Sequence, residues 1–316
     1  MKEVFPRAPF PELSKGIAVH RMHDVRYLQH SFLRQGITRR FFLRAGLVGA
    51  CACMLPWPAL AKKAATPAPS AAAAPAATPA VNFYVANRDK LLTDFKGVCA
   101  GAEHWLAART AEPTAQAIAD DALRRYDRML PGMPDIGGAT NRNQPFLIMA
   151  GWLTALYQAM GEKGMTAKDS GRLLYDLYAA DWAAVPPQKA KAMGAALFSV
   201  AYLQSLQDWA TESQKKKYPG DWIGKVLPGD GKTYDLGYDY TECGAVKFFK
   251  AQGAMAVAPY YCLNDFLASR AQGTGLSRQH TLAQGDALCD FRYKRNRPVT
   301  QNWDTETPKF PGNKPA

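Results

Sequence analysis

The chain has 316 residues, 47% of them apolar, enough for one large domain or two small ones with a proper core. Its formal net charge is +12, but half of that excess lies in residues 1–61, where nine Lys/Arg face three Asp/Glu. The rest is scattered apart from Lys215-Lys216-Lys217 and the run Arg292 to Arg297, and with no zinc finger, ribonucleoprotein aromatic motif or long basic helix the sequence argues against nucleic acid as a partner.

Residues 1–61 read as a leader. Thr38-Arg39-Arg40-Phe41-Phe42-Leu43-Arg44 resembles the twin-arginine export motif. A weakly apolar run from Ala45 to Leu60 follows and closes on Ala59-Leu60-Ala61, a small-x-small cleavage signature. The expectation is export by the twin-arginine translocase, cleavage after Ala61 and a periplasmic product. A buried N-terminal helix is the competing reading. The run is short and broken by Pro56 and Pro58, so no stable membrane span is expected after cleavage. The stretch before Thr38 is long for a leader, and Met22 offers a second start. Val48-Gly49-Ala50-Cys51 is a poor lipoprotein context. Twin-arginine substrates cross the membrane folded. Cys51 and Cys53 leave with the leader, and Cys99, Cys243, Cys262 and Cys289 remain. Folding in a reducing compartment means that disulfides are not required for the fold, and it permits a cofactor or metal to be loaded before export.

Residues 62–80 are almost all Ala, Pro, Ser and Thr and read as a flexible linker. The folded domain is expected over residues 81–297. From Phe83 to Met129 the pattern is helical, with Leu91, Leu92, Phe95 and then Leu123, Tyr126, Leu130 at helical spacing. Pro131-Gly132-Met133-Pro134 breaks it, and residues 135–143 form a polar loop. Pro145 to Met160 reads as a central apolar helix. Thr166 and Asp169 give a capping-box-like start to a helix running to Trp182. After Pro186-Pro187 a helix is expected from Lys189 to Leu206, then a polar loop from Lys215 to Lys232. Thr233 to Tyr240 alternates like a strand, and Thr241-Glu242-Cys243 opens a helix to Gln252. Val257 to Arg270 reads as one further helix with Pro259 in its first turn. Leu276–Ala283 and Ala287–Tyr293 are expected strands joined by a type II′ turn at Gly285-Asp286. Residues 298–316 read as an irregular tail. No internal repeat is visible. The fold class is α+β: a helical N-terminal half followed by a small antiparallel sheet with helices, in a single domain.

The cysteines carry the chemical signal. With Gly285-Asp286 as the turn, Leu282 faces Cys289, His280 faces Phe291 and Arg278 faces Tyr293. Alternation then gathers Cys289, Phe291, Tyr293, His280 and Arg278 on one face and turns Asp290 and Arg292 to the other. Cys262 and Asp265 share a helix face at i, i+3. Cys243 lies at a helix N-terminus, where the dipole favours thiolate. Against these stands the bland reading of lone cysteines as small buried hydrophobes and of His280 as a satisfied core histidine. Phe248, Phe249, Tyr260 and Tyr261 read as core, and His104 as structural.

The segments Tyr240-Thr241-Glu242-Cys243, Pro259-Tyr260-Tyr261-Cys262-Leu263-Asn264-Asp265-Phe266, Arg278-Gln279-His280-Thr281-Leu282 and Gly285-Asp286-Ala287-Leu288-Cys289-Asp290-Phe291-Arg292-Tyr293 together resemble the L-2-amino-thiazoline-4-carboxylic acid hydrolase family. The likeness is strongest across this C-terminal stretch and extends more weakly to Pro134-Asp135-Ile136-Gly137-Gly138 and to the helices from Pro145 to Trp182. The closing G-x-x-x-C-x-F also looks like the end of 4-vinyl-reductase-type ligand-binding domains, which implies a shared α+β framework.

The family resemblance implies hydrolysis of a cyclic isothiourea, opening a thiazoline ring toward a carbamoyl-cysteine. That chemistry needs a nucleophile at the amidine carbon, a carboxylate for the nitrogens and a cation for the substrate carboxylate. Cys289 and then Cys243 are the candidate nucleophiles, with Cys262 beside them. Asp265 and then Glu242 are the candidate carboxylates, and His280 is a candidate proton shuttle on its chemistry alone. Arg278, with Arg292, is the candidate carboxylate binder. The alternative is a periplasmic small-molecule-binding protein without catalysis, in which Cys243, Cys262 and Cys289 hold zinc with an acid or His280, or two of them form a regulatory disulfide.

Overall fold

The computed structural model describes residues 82–310. The leader, the linker and residues 311–316 lie outside the described residues. Asn82 starts the first short helix, α1 (Phe83–Ala86), its side chain accepting the Tyr84 amide at 2.8 Å. Helix α2 (Arg88–Ala107) buries Leu91, Phe95, Val98, Ala102 and Trp105, one stripe at alternating three- and four-residue steps. Helix α3 (Glu112–Met129) has Pro113 in its first turn and packs on α2 through Ala115, Ile118, Ala119, Ala122 and Tyr126. Helix α4 (Gln144–Gly161) is buried almost all round, as a helix apolar on every face must be, and touches both α3 and α5 (Ala167–Ala183). The capping box at the start of α5 is formed: Thr166 Oγ1 accepts the Asp169 amide at 3.2 Å and the Asp169 carboxylate accepts the Thr166 amide at 2.8 Å. Phe95, Tyr126 and Trp152 from α2, α3 and α4 meet at the centre, Phe95 stacked on Trp152 at 5.7 Å. Each buried ring of this kind contributes about 1.5–3 kcal/mol.

The single helix expected from Lys189 to Leu206 is two helices, α6 (Pro187–Ala196) and α7 (Val200–Ser213). Ser199 between them is extended, and its hydroxyl accepts the Tyr202 amide at 3.2 Å, so a new N-terminus starts there. The expected loop from Lys215 to Lys232 contains a strand, β1 (Ile223–Pro228). This is an edge strand with a half-exposed surface, and its polar neighbours hide it.

Four antiparallel strands follow the order β1-β2-β4-β3, with β2 at Leu236–Glu242, β3 at Leu276–Ser277 and β4 at Cys289–Tyr293. Between β2 and β3 lie α8 (Gly244–Ala251), α9 (Ala258–Tyr261) and α10 (Asn264–Gln272). The helix expected from Val257 to Arg270 is therefore interrupted at Cys262-Leu263. The sheet buries one face: Leu236 and Tyr238 of β2 and Cys289, Phe291 and Tyr293 of β4 pack with Tyr202 and Leu206 of α7 and Phe266 of α10. Tyr238 pairs directly with Phe291 across the ladder, and the rings stack at 4.7 Å.

The expected hairpin at Gly285-Asp286 does not form. Strand β3 stops after two residues, and Leu276, not Arg278, pairs with Tyr293. Residues Leu282–Gln284 are a 3-10 turn, and Gly285 is its left-handed cap at φ 93° and ψ 5°, not the first corner of a type II′ turn. The segment after Pro298 is not irregular throughout. It forms α11 (Trp303–Glu306), and Trp303 and Phe310 are buried against Tyr260 at 5.5 and 5.0 Å.

Candidate functional site

Three elements converge on one cavity between the sheet and the helices. Strand β4 supplies Cys289, the junction of β2 and α8 supplies Cys243, and the break between α9 and α10 and the first turn of α10 supply Cys262 and Asp265. Arg278 enters from just beyond β3. Arg142, Phe146, Tyr202, Trp222, Tyr238, Tyr240, Tyr261 and Phe291 complete the walls of a space of about 60 Å³. The lining is thus largely aromatic with a small polar cluster, the composition of a small-molecule site.

Cys243 is the N-cap residue of α8. Gly244 follows it for a steric reason: a Cβ there would strike the Gly220 carbonyl and the Trp222 ring. The glycine lets the loop before β1 close over the start of α8 and brings the Trp222 indole to Cys243. Burial pushes the Cys243 thiol up to about 12, while the amides of Ala245 and Val246 and the Trp222 indole pull the other way. Cys262 is half-buried, and its thiol is also pushed up by burial, with Arg278 opposing. Cys289 is buried. Its sulfur accepts the Leu282 amide at 3.3 Å, and burial again lifts the thiol against the pull of Arg278. All four described cysteines are free thiols, so no disulfide joins any two of them. Among the described residues no group of three His, Cys, Asp or Glu is arranged to hold a metal ion, so the three-cysteine zinc set is not formed by this geometry.

Arg278 is 4% exposed, and its charge is already engaged. Nη1 donates to Asp265 Oδ2 at 2.6 Å and Nη2 to the Cys262 carbonyl at 2.8 Å, while the guanidinium lies over the rings of Phe266 and Phe291 at 5.1 and 4.8 Å. Burial works against its charge, and Asp265, Cys262 and Cys289 outweigh it, so the guanidinium stays protonated. Burial lifts the Asp265 carboxyl above the usual range, with Arg278 pulling it back. Both terminal nitrogens of Arg278 are thus engaged inside the protein, while the side chain also lines the cavity. It orients Asp265 and sets positive charge beside Cys262 and Cys289.

Three expected site residues lie elsewhere. Glu242 precedes Cys243 but turns away, held by Lys216 at 2.8 Å and Lys247 at 2.5 Å, and those two hydrogen bonds draw its carboxyl below the usual range. His280 is exposed, with Nδ1 3.7 Å from Asp286 and its backbone amide bonded to Asp290 at 2.6 Å. The early end of β3 takes it off the inward face. Arg292 lies on the opposite face of β4 from Cys289 and pairs with Asp239 at 2.8 Å. The sequence reading missed Arg142, whose guanidinium lies over Trp209 and Tyr202 at 5.2 and 5.9 Å. It also placed Tyr261 in the core, whereas Tyr261 lines the cavity and donates to the Phe146 carbonyl at 3.0 Å. Nothing in the polar loop of residues 135–143 marks Arg142 out; only the fold brings it to the cavity.

Residues 145–293 match the family model described as L-2-amino-thiazoline-4-carboxylic acid hydrolase. Over that segment the chain belongs to the family. The matched segment runs from the first turn of α4 to the last residue of β4 and contains every cysteine of the cavity, Asp265 and Arg278. The loop carrying Pro134 to Gly138, and with it Arg142, lies outside the match. No curated protein and no solved structure matches the chain at a significant level. The hydrolase family membership therefore rests on the same segment that builds the cavity.

Proposed function

We propose that this hydrolase-family protein opens a cyclic isothiourea of the L-2-amino-thiazoline-4-carboxylate type, with Cys243 as nucleophile. The observation that carries the reading is the meeting of Cys243, Cys262, Cys289 and the Asp265–Arg278 pair in one aromatic-walled cavity inside the matched segment. Cys243 is preferred over Cys289 because the residue is partly rather than fully buried and its sulfur faces α8 amides, whereas Cys289 is buried with its sulfur bonded to Leu282. The thiols are neutral at rest, so attack needs a base. Asp265, lifted above the usual carboxylate range, accepts the thiol proton. Sulfur bonds to the ring amidine carbon, the bond from that carbon to the ring sulfur breaks, and the leaving sulfur takes the proton back as a thiol. Water then adds to the enzyme-bound isothiourea carbon. Collapse expels the Cys243 thiol and leaves N-carbamoyl-cysteine, so one water is consumed per ring. Arg142 holds the substrate carboxylate at the cavity wall, in place of Arg278. The twin-arginine leader supports placing this activity in the periplasm.

A second reading is a periplasmic binding protein that holds such a ring without turnover. It is favoured by burial pushing all three thiols up, so that none is poised as a thiolate. The experiment is a ring-opening assay on the full chain under reducing conditions, following N-carbamoyl-cysteine and new thiol by mass spectrometry. The hydrolase reading expects turnover that Cys243→Ser abolishes, with an adduct of one ring-opened substrate trapped on the wild-type peptide carrying Cys243. Turnover surviving in Cys243→Ser and dying in Cys289→Ser moves the nucleophile to Cys289. Saturable ring binding without product supports the binding protein.

A further inference from the structure

A larger cleft of about 600 Å³ lies beside the cysteine cavity, and Arg142 and Trp222 are walls of both. It is far larger than an amino-acid-derived ring needs and falls in the size range of small-molecule sites. Two loops and a helix build it: residues 136–142, residues 215–223 and the outer face of α7. The loops are tied together, because Asp221 accepts Asn141 at 2.6 Å and Asn143 at 3.2 Å. Lys247 fastens the second loop from below through the carbonyls of Pro219 and Asp221, at 2.8 and 2.9 Å.

The lining of this cleft carries a net positive charge. Lys215, Lys216, Lys217 and Arg142 line it, against Glu212 and Asp221. Both carboxylates are occupied, Glu212 by Lys215 at 2.7 Å and Asp221 by the asparagines. Lys216 is held at φ 49°, in the left-handed region, with its amine on Glu242. Lys217 makes no ion pair among the described residues, and its amine lies 5.1 Å over the Tyr218 ring. The lysine run has no part in ring opening.

We propose that this cleft is a second subsite, for the acidic tail of an elongated ligand whose head occupies the cysteine cavity. The tail is a dicarboxylate, and Lys217 is its principal charge partner. The ligand class is an amide joining a thiazoline-type carboxylate to an acidic amino acid, with the amide carbonyl taking the place of the free head carboxylate at Arg142 and the amide passing beside Trp222. The head of this ligand rests on the ring-binding reading above; the tail site does not.

Calorimetry on the full chain tests it with three probes: 2-amino-thiazoline-4-carbonyl-L-glutamate, its uncharged bis-amide, and N-acetyl-L-glutamate. Inorganic phosphate is a separate competitor. The expected result is about tenfold tighter binding of the glutamate conjugate than of the bis-amide, as one charged hydrogen-bonded contact supplies. The advantage vanishes in Lys217→Glu, while that variant binds the unconjugated ring as the wild type does. Equal affinity for conjugate and bis-amide overturns the proposal, as does an advantage that survives in Lys217→Glu. Phosphate binding tighter than N-acetyl-L-glutamate also overturns it, in favour of a phosphate site. Lys217-dependent binding of N-acetyl-L-glutamate with no ring binding upholds the tail site and removes the ring reading. Ring opening with no tail effect does the reverse.

Discussion

Asp265 and Arg278 form a 2.6 Å ion pair in which the arginine side chain is 2% and the aspartate side chain 21% exposed. The arginine comes from the turn after β3 and the aspartate from the first turn of α10, so the pair joins the sheet to the helix that carries it. Gln301 completes the arrangement from the C-terminal segment. It accepts the Arg278 amide at 2.9 Å and donates to the Arg278 carbonyl at 2.6 Å. The charge beside Cys262 and Cys289 is thus fixed by backbone as well as by side chains.

Removing the arginine strands a carboxyl in the interior. Arg278→Leu is expected to lose about 3–5 kcal/mol, the usual cost of breaking a buried pair by one partner. The pH dependence has a definite sign. Asp265 is already raised in the fold, and loss of Arg278 raises it further. A carboxyl raised in the folded state gives stability that is full below its unfolded value and lost as pH rises through its folded value. Urea midpoints of Arg278→Leu are therefore expected to fall more steeply above pH 4 than those of the wild type. A parallel pair of curves would show that Asp265 is not the group responsible.

Glu242 is expected to be structural. Glu242→Gln breaks two half-exposed lysine pairs, each worth up to about 1 kcal/mol. Its carboxyl is drawn down by Lys216 and then Lys247, so this contribution is present above the ordinary carboxylate range and disappears as pH falls through the lowered value. Turnover in Glu242→Gln is expected to stay within a few-fold of the wild type, whereas a general acid or base would cost about 10²–10⁴. Loss on that scale with an unchanged melting curve would return Glu242 to the site.

Sequence was a good guide to the parts that depend on local rules. The stripes of α2 and α3, the apolar α4 and the Thr166–Asp169 box follow from spacing alone. So does the alternation that puts Cys289, Phe291 and Tyr293 inward. The start of α8 put Cys243 at an N-terminus, as the structure does. The failures have a common cause. After Ser277, Asp290 Oδ1 takes the amides of Gln279 and His280 at 2.9 and 2.6 Å, and Asp286 takes that of Thr281 at 2.7 Å. Carboxylates supply what a neighbouring strand would have supplied, so the chain leaves the sheet and His280 goes to solvent. Alternation cannot show such competition. Arg142 and Trp222 reach the cavity only through contacts between distant loops, which no local pattern encodes.

The C-terminal segment is expected to matter for stability. Trp303 is 7% exposed, stacks on Tyr260 at 5.5 Å and meets Tyr175 tilted at 5.4 Å. Trp303→Ala is expected to cost about 3–5 kcal/mol, the usual range for a buried tryptophan. The loss should appear as a lower urea midpoint. Trp303→Phe, which keeps a ring, should recover most of it. A change below 1 kcal/mol would mean that the segment rests on the core without holding it.

The reactivity of Cys243 tests the electrostatics of the cavity directly. Burial is the largest influence on its thiol, and proximity to Cys289 is the next, both pushing up. With the thiol near 12, alkylation by iodoacetamide at neutral pH should be slower than for an unperturbed cysteine of about 8.5, because only the thiolate reacts. The rate should climb about tenfold per pH unit beyond pH 9, the behaviour of a group titrating well above that pH. Cys289→Ala removes one of the upward influences, so labelling of Cys243 should quicken in that variant. Site-resolved mass spectrometry after timed labelling reads both effects. Neutral-pH labelling as fast as for a small free thiol would mean that the α8 amides and the Trp222 indole outweigh burial, and the need for Asp265 as base would then disappear.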